Sequence, residues 1–148
     1  MFKTLKQPGV TAPEFKIMLG LREGYGPDAK THTLDEVISL IEVYLKQQAI
    51  AGKPYFTGMV IGGTVVYAWY DSRSSHSGSA NEPQAVYIGN KNPMYHSELL
   101  ESEIRDLLTE IADYLGSALG QTRVYVTYGE SMWIRHAEDA TTPTGETV

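Results

Sequence analysis

Apolar and polar positions alternate along this chain in short runs, and twice the apolar positions repeat at helical spacing instead. Phe15, Ile17, Leu19 and Leu21 occupy every second position, so residues 15–21 present one apolar face, as a half-buried strand does. The stretch 22–32 contains Gly24, Gly26 and Pro27 and does not continue that strand. A helix is predicted over 33–50, opened by Thr33. The Thr33 hydroxyl is placed to accept from the backbone N–H of Glu36, and the Glu36 carboxylate to reach back, as in a capping box. Leu34, Val37, Ile38, Ile41, Tyr44 and Leu45 recur every three or four residues and make one buried stripe, which Gly52 and Pro54 end. A second stripe, from Leu100 through Ile104, Leu107, Leu108, Ile111 and Leu115 to Leu119, predicts a helix over 97–119. Ser97 is its expected cap and Gly120 its stop.

Between the helices, residues 55–70 are strand-like, with Val60, Ile61, Val65, Val66, Tyr67 and Trp69. Gly62 and Gly63 either turn a hairpin there or bend one long strand; the bent strand is preferred, because the next strand then pairs with it directly. Residues 71–82, five of them Ser, are of low complexity and are expected to form a long mobile loop, followed by a short strand over 83–88. A strand is predicted over 123–128, then a turn at Gly129-Glu130 and a last short strand over 132–135. Residues 1–14 read as an N-terminal arm, 15–136 as a single domain and 137–148 as a disordered tail.

The order β-α-β-β-α-β predicts an α+β, ferredoxin-like sandwich: two helices on one face of an antiparallel sheet, with or without an extra C-terminal hairpin. Right-handed crossovers place the first and third strands at its centre. The topology resembles that of the PII and CutA trimers, a resemblance that implies no activity here. The runs Gly20-Leu21-Arg22-Glu23-Gly24-Tyr25-Gly26 and His32-Thr33-Leu34-Asp35-Glu36-Val37 also resemble short bacteriophage proteins, and that resemblance likewise brings no activity with it.

Length and charge narrow the function classes. A chain of 148 residues is one domain's worth, with enough surface to bury a sizeable core. The absence of cysteine excludes disulfides, thiolate metal sites and a cysteine nucleophile. The 12 basic residues are scattered and the net charge is −6, which argues against a nucleic-acid partner. No apolar run reaches the ~20 residues of a membrane span or forms a signal peptide, so a cytoplasmic protein without membrane contact is expected. The four histidines fall in four different segments, so no metal and no cofactor is expected. No Gly-x-Ser-x-Gly elbow occurs, and the acidic pairs read as solvated helix faces. No catalytic residue is assigned.

Two groups of residues remain as ligand-binding candidates. Tyr67, Trp69 and Tyr125, with Arg123 beside them, would stand on the sheet face that two helices leave uncovered. Arg22, Tyr25 and His32 border the glycine-rich loop, whose free N–H groups near the start of the first helix would suit an anion. The expectation is a non-enzymatic homo-oligomer of phage type that binds, and so sequesters, a small anionic or nucleotide-type ligand. The alternatives are a protein that masks a host protein with its aromatic face, and an enzyme with a site near Arg22, Tyr25 and His32.

Overall fold

Five strands and two helices follow one another as β1 (Glu14–Gly20), α1 (Leu34–Ile50), β2 (Met59–Asp71), β3 (His76–Asn90), α2 (Glu101–Ala118), β4 (Arg123–Tyr128) and β5 (Ser131–His136). The computed structural model describes residues 1–3, 11–24, 28–92, 96 and 98–138. The strands form one sheet in the order β2-β3-β1-β4-β5, every neighbouring pair antiparallel. The first four are ferredoxin-like with β1 and β3 inside, and β5 adds the C-terminal hairpin.

Register shows why both helices share a face. Gly62, Ala85, Leu19 and Val124 are cross-strand partners and form one row. At one end of the row Leu34 of α1 lies where a Gly62 side chain would project, and at the other Val124 faces Gly116 of α2. The alternating Phe15, Ile17 and Leu19 of β1, with Val126 and Tyr87, point to the same side and are buried. They meet Val37, Ile41 and Tyr44 from α1 and Ile104, Leu108, Ile111 and Leu115 from α2 in a single core.

The helix starts depart from expectation in detail. Thr33 caps α1, its hydroxyl accepting from Glu36 N–H at 3.2 Å, but the Glu36 carboxylate turns to His32 instead of back to Thr33. Helix α2 begins at Glu101, later than residue 97, and Ser97 lies outside the described residues. Leu100 takes the cap position without an acceptor of its own; only the reverse half of a capping box exists, Leu100 N–H donating to Glu103 Oε1 at 3.2 Å. Leu100 is 65% exposed there, so the buried stripe starts at Ile104.

Residues 71–82 do not form the long loop expected of them but the tip of a strand pair. β2 runs unbroken through Gly62 and Gly63, and the chain then turns within residues 72–75 and returns as a long β3. Asp71 builds the turn: its carboxylate accepts from Arg73 N–H at 3.0 Å and from the Ser74 hydroxyl at 3.1 Å, and Ser75 takes φ 53°. Gly78 leaves a flat seat for the Trp69 indole across the strand pair. Because β1 pairs with β3 only as far as Gln84, the pairs from Thr64↔Pro83 to Asp71↔His76 project beyond the sheet as a two-stranded ribbon. Eight pairs extend it by about 26 Å.

At the chain ends, the Ala12 carbonyl accepts from Asn90 Nδ2 at 3.1 Å and the Pro13 carbonyl from Lys91 N–H at 2.9 Å, so the end of the N-terminal arm lies along β3. The expected tail lies, beyond Glu138, outside the described residues, as do residues 4–10 of the arm.

Candidate functional site

The helix-free face of the sheet is where candidate residues converge. Cross-strand partners share a face, so Met59, Ile61, Gly63, Val65, Tyr67 and Trp69 of β2 stand on the same side as Glu82, Gln84, Val86 and Ile88 of β3. The row from Ile61 continues through Val86 and Met18 to Tyr125 and Ile134. Tyr125 is therefore on this face, and so is Arg123, which alternates with the buried Val124. Tyr67 and Trp69 meet directly, with ring centroids 6.2 Å apart. Tyr125 and Arg123 are three strands away.

The structure adds a residue to this group. Glu82 lies beside Val65 on the same face, and its Oε1 accepts from the Tyr67 hydroxyl at 3.1 Å. Nothing lies within 4 Å of where a side chain at Gly63 would project, so the face is open on the side of the two rings nearer the sheet. Two π faces and a carboxylate with unused lone pairs make a surface suited to a planar group that carries positive charge. Arg135, the cross-strand partner of Val124, points to the opposite face and is held by both oxygens of Asp113 at 2.7 and 2.9 Å. A hollow of about 1180 Å³ opens at the other end of β2 and β3 between Tyr55, Met59, Ile88, Asn90, Lys91 and His96.

The loop candidates lie elsewhere. Tyr25 is outside the described residues. Arg22 pairs in a bridge with Thr31, and its carbonyl accepts from Gln121 Nε2 at 3.1 Å. His32 is buried with both ring nitrogens in use, Nδ1 at 2.5 Å from Glu36 Oε2 and Nε2 at 2.9 Å from Glu23 Oε1. The negative group at the start of α1 is thus the chain's own Glu36. These carboxylates raise the His32 pKa, the Glu36 bond most and the Glu23 bond next, while burial opposes them. His96 is buried as well but is shifted the other way, chiefly because burial disfavours its charged form. Its Nδ1 accepts from Asn92 N–H at 2.8 Å and its Nε2 donates to the Tyr55 carbonyl at 3.0 Å, the pattern of a neutral ring.

Among the described residues no helix is long and apolar enough to cross a membrane, and no group of three acidic or histidine side chains is arranged to hold a metal.

No protein-family model matches the chain, and no curated protein sequence matches it. Among solved structures the fold is similar to that of a phage SAM lyase, both in complex with S-methyl-5'-thioadenosine (17% identity, TM-score 0.63) and in the apo state (16% identity, TM-score 0.67). Each likeness covers 93% of this chain and 99% of the other. It is a likeness of fold that spans the whole domain, and no functional family is matched.

Proposed function

We propose that this chain is a phage-type, homo-oligomeric protein that binds S-adenosylmethionine on the open sheet face at the base of the ribbon and cleaves it to S-methyl-5'-thioadenosine. The observation that carries this reading is the Tyr67, Trp69 and Glu82 cluster. A sulfonium is a compact cation attached to a planar purine nucleoside, and aromatic faces beside a carboxylate recognise that combination. The end-to-end fold likeness to a phage SAM lyase supports the choice of ligand. A net charge of −6 also favours a cationic ligand over the anionic one expected from the sequence.

The chemistry asks little of acid or base groups. For sulfur to keep its methyl and adenosyl carbons, the bond to the aminobutyrate arm must break: the arm's own α-carboxylate attacks the γ-carbon, a C–O bond forming as the C–S electron pair passes to sulfur, which leaves a neutral thioether and an amino lactone that keeps its ammonium. Positive charge is lost along that path, so a site that strips water from the sulfonium favours cleavage. Tyr67 and Trp69 supply such a surface once a second copy closes over them. Glu82 then orients the arm through its ammonium group.

The test is incubation of the purified protein with S-adenosylmethionine, the products read by mass spectrometry and binding of substrate and thioether read by calorimetry. The expected result is formation of S-methyl-5'-thioadenosine, at least tenfold slower in Glu82→Gln. Binding without product would reduce the activity to sequestration and overturn the cleavage step. Absence of both binding and product at millimolar ligand would overturn the whole reading.

A further inference from the structure

His32 lies at a junction of three segments. Leu21 and His32 face each other across a short antiparallel stem, with His32 N–H donating to the Leu21 carbonyl at 2.7 Å and Glu23 N–H to the Lys30 carbonyl at 2.8 Å. Glu23 comes from one side of this stem, His32 from the other and Glu36 from the first turn of α1. The Glu23 side chain also packs over Gly120 in the turn between α2 and β4, filling the space a Gly120 side chain would take, and Gln121 of that turn donates to the Arg22 carbonyl.

A neutral imidazole has one N–H. Both His32 nitrogens face carboxylate oxygens, which accept only, so each must donate and the ring must be an imidazolium. Its side chain is 4% exposed, whereas Glu23 and Glu36 are 36% and 47% exposed. A proton lost from the ring therefore leaves one carboxylate facing a lone pair, and Glu23, the partner from the loop, has water to move into.

We infer that His32, Glu23 and Glu36 form a proton-operated latch that holds the stem of residues 21–24 and 30–32 against α1 and the turn between α2 and β4. The latch rests on this geometry and requires no ligand. Glu23 and Glu36 face the ring, Lys30 of the stem acts on Glu36, and the α2–β4 turn presents the uncharged Gly120 and Gln121. The sign follows from the two shifts. His32 is raised, so its pairing is fully present below its ordinary value of about 6.5 and is lost as pH climbs through the raised value. Glu36 is lowered, mainly by His32, so its share is present above the ordinary carboxylate range and is lost only as pH falls through the lowered value. The latch is closed around pH 5–6.5 and opens on the alkaline side. The stem also donates from Leu21 N–H to the Pro83 carbonyl at 3.1 Å, so opening the latch loosens the residue next to Glu82.

Hydrogen exchange of the full-length protein, read by mass spectrometry at a series of pH values and corrected for intrinsic rate, tests this directly. Expected is a tenfold or greater loss of protection in peptides covering residues 21–24 and 28–32 between pH 6 and pH 9, with β4 unchanged. Glu23→Gln should fold, since its side chain is partly solvated, and should shift that transition to lower pH. His32→Gln should leave the segment equally open at both pH values. Protection independent of pH in the unmodified protein, or a transition that Glu23→Gln leaves in place, would overturn the latch.

Discussion

The core strands and the ribbon are built from the same backbone pairing, yet they differ in what holds them. In β1 one face is sealed by helices, with Ile17 at 0% exposure, and both edges are paired, with β3 and with β4. In the ribbon the side chains are equally strand-like, but Val66 is 76% exposed and Tyr70 68%. A hairpin alone in water is marginal at best, so an apolar ribbon about 26 Å long needs cover. Rows of Ile61, Met132 and Ile134 on the adjoining open face are exposed too, more apolar surface than a single soluble chain ordinarily leaves bare. The core is closed within one chain, whereas the ribbon's side chains stand open, and on the proposed reading a second copy covers them.

The widest separation between the regions should appear in folding stability. Leu108→Ala empties a site that is 1% exposed in the core and is expected to cost about 3 kcal/mol. Val66→Ala, on the ribbon, should cost less than about 0.5 kcal/mol when measured on the dissociated chain. Urea unfolding at nanomolar protein compares the two. Equal costs would mean that the ribbon is held by the domain after all.

What the sequence made legible follows the same division. Periodicity declares an element when the element's own residues are buried, as Phe15, Ile17 and Leu19 are, or the stripe from Ile104 to Leu115. It fails for residues 76–82, where Ser, Gly and Ala have no strand preference of their own. That segment is a strand because β2 is beside it: small residues there admit Trp69, and the Asp71–Ser74 turn sets the register. Glu82 was hidden with the segment, so only the rings of the candidate site could be picked from the chain. For His32, the spacing to Glu36 was readable as one helical turn, whereas Glu23 comes near only because the stem closes.

Association should respond to the ribbon and not to the core's periphery. Sedimentation equilibrium is expected to give a multiple of the 16.4 kDa chain mass at micromolar concentration. Trp69→Ala and Tyr67→Ala each remove a ring contributing about 1–2 kcal/mol to such a contact, a five- to thirtyfold weaker assembly. The far-UV spectrum of the helices should not change. A mass of one chain at every concentration would leave the ribbon bare and break the comparison.

The smallest expected effect lies where the two regions adjoin, at the start of α1, whose Leu34 covers Gly62 just before the ribbon begins. Thr33 accepts from Glu36 N–H, one of the helix's first N–H groups, which have no partner within the helix. Thr33→Ala removes that acceptor and is expected to destabilise the chain by about 1 kcal/mol. Glu36 cannot make up the loss by capping in its place, because its carboxylate is engaged by His32. Thr33→Ser keeps the hydroxyl and should recover most of the stability. Since the hydrogen bond of the cap is made within α1, to Glu36, the assembled mass should be unaltered in both variants. An unfolding free energy equal to that of the parent would mean that water replaces the hydroxyl. A shift in assembly at unchanged stability would mean that the start of α1 belongs with the ribbon and its partner.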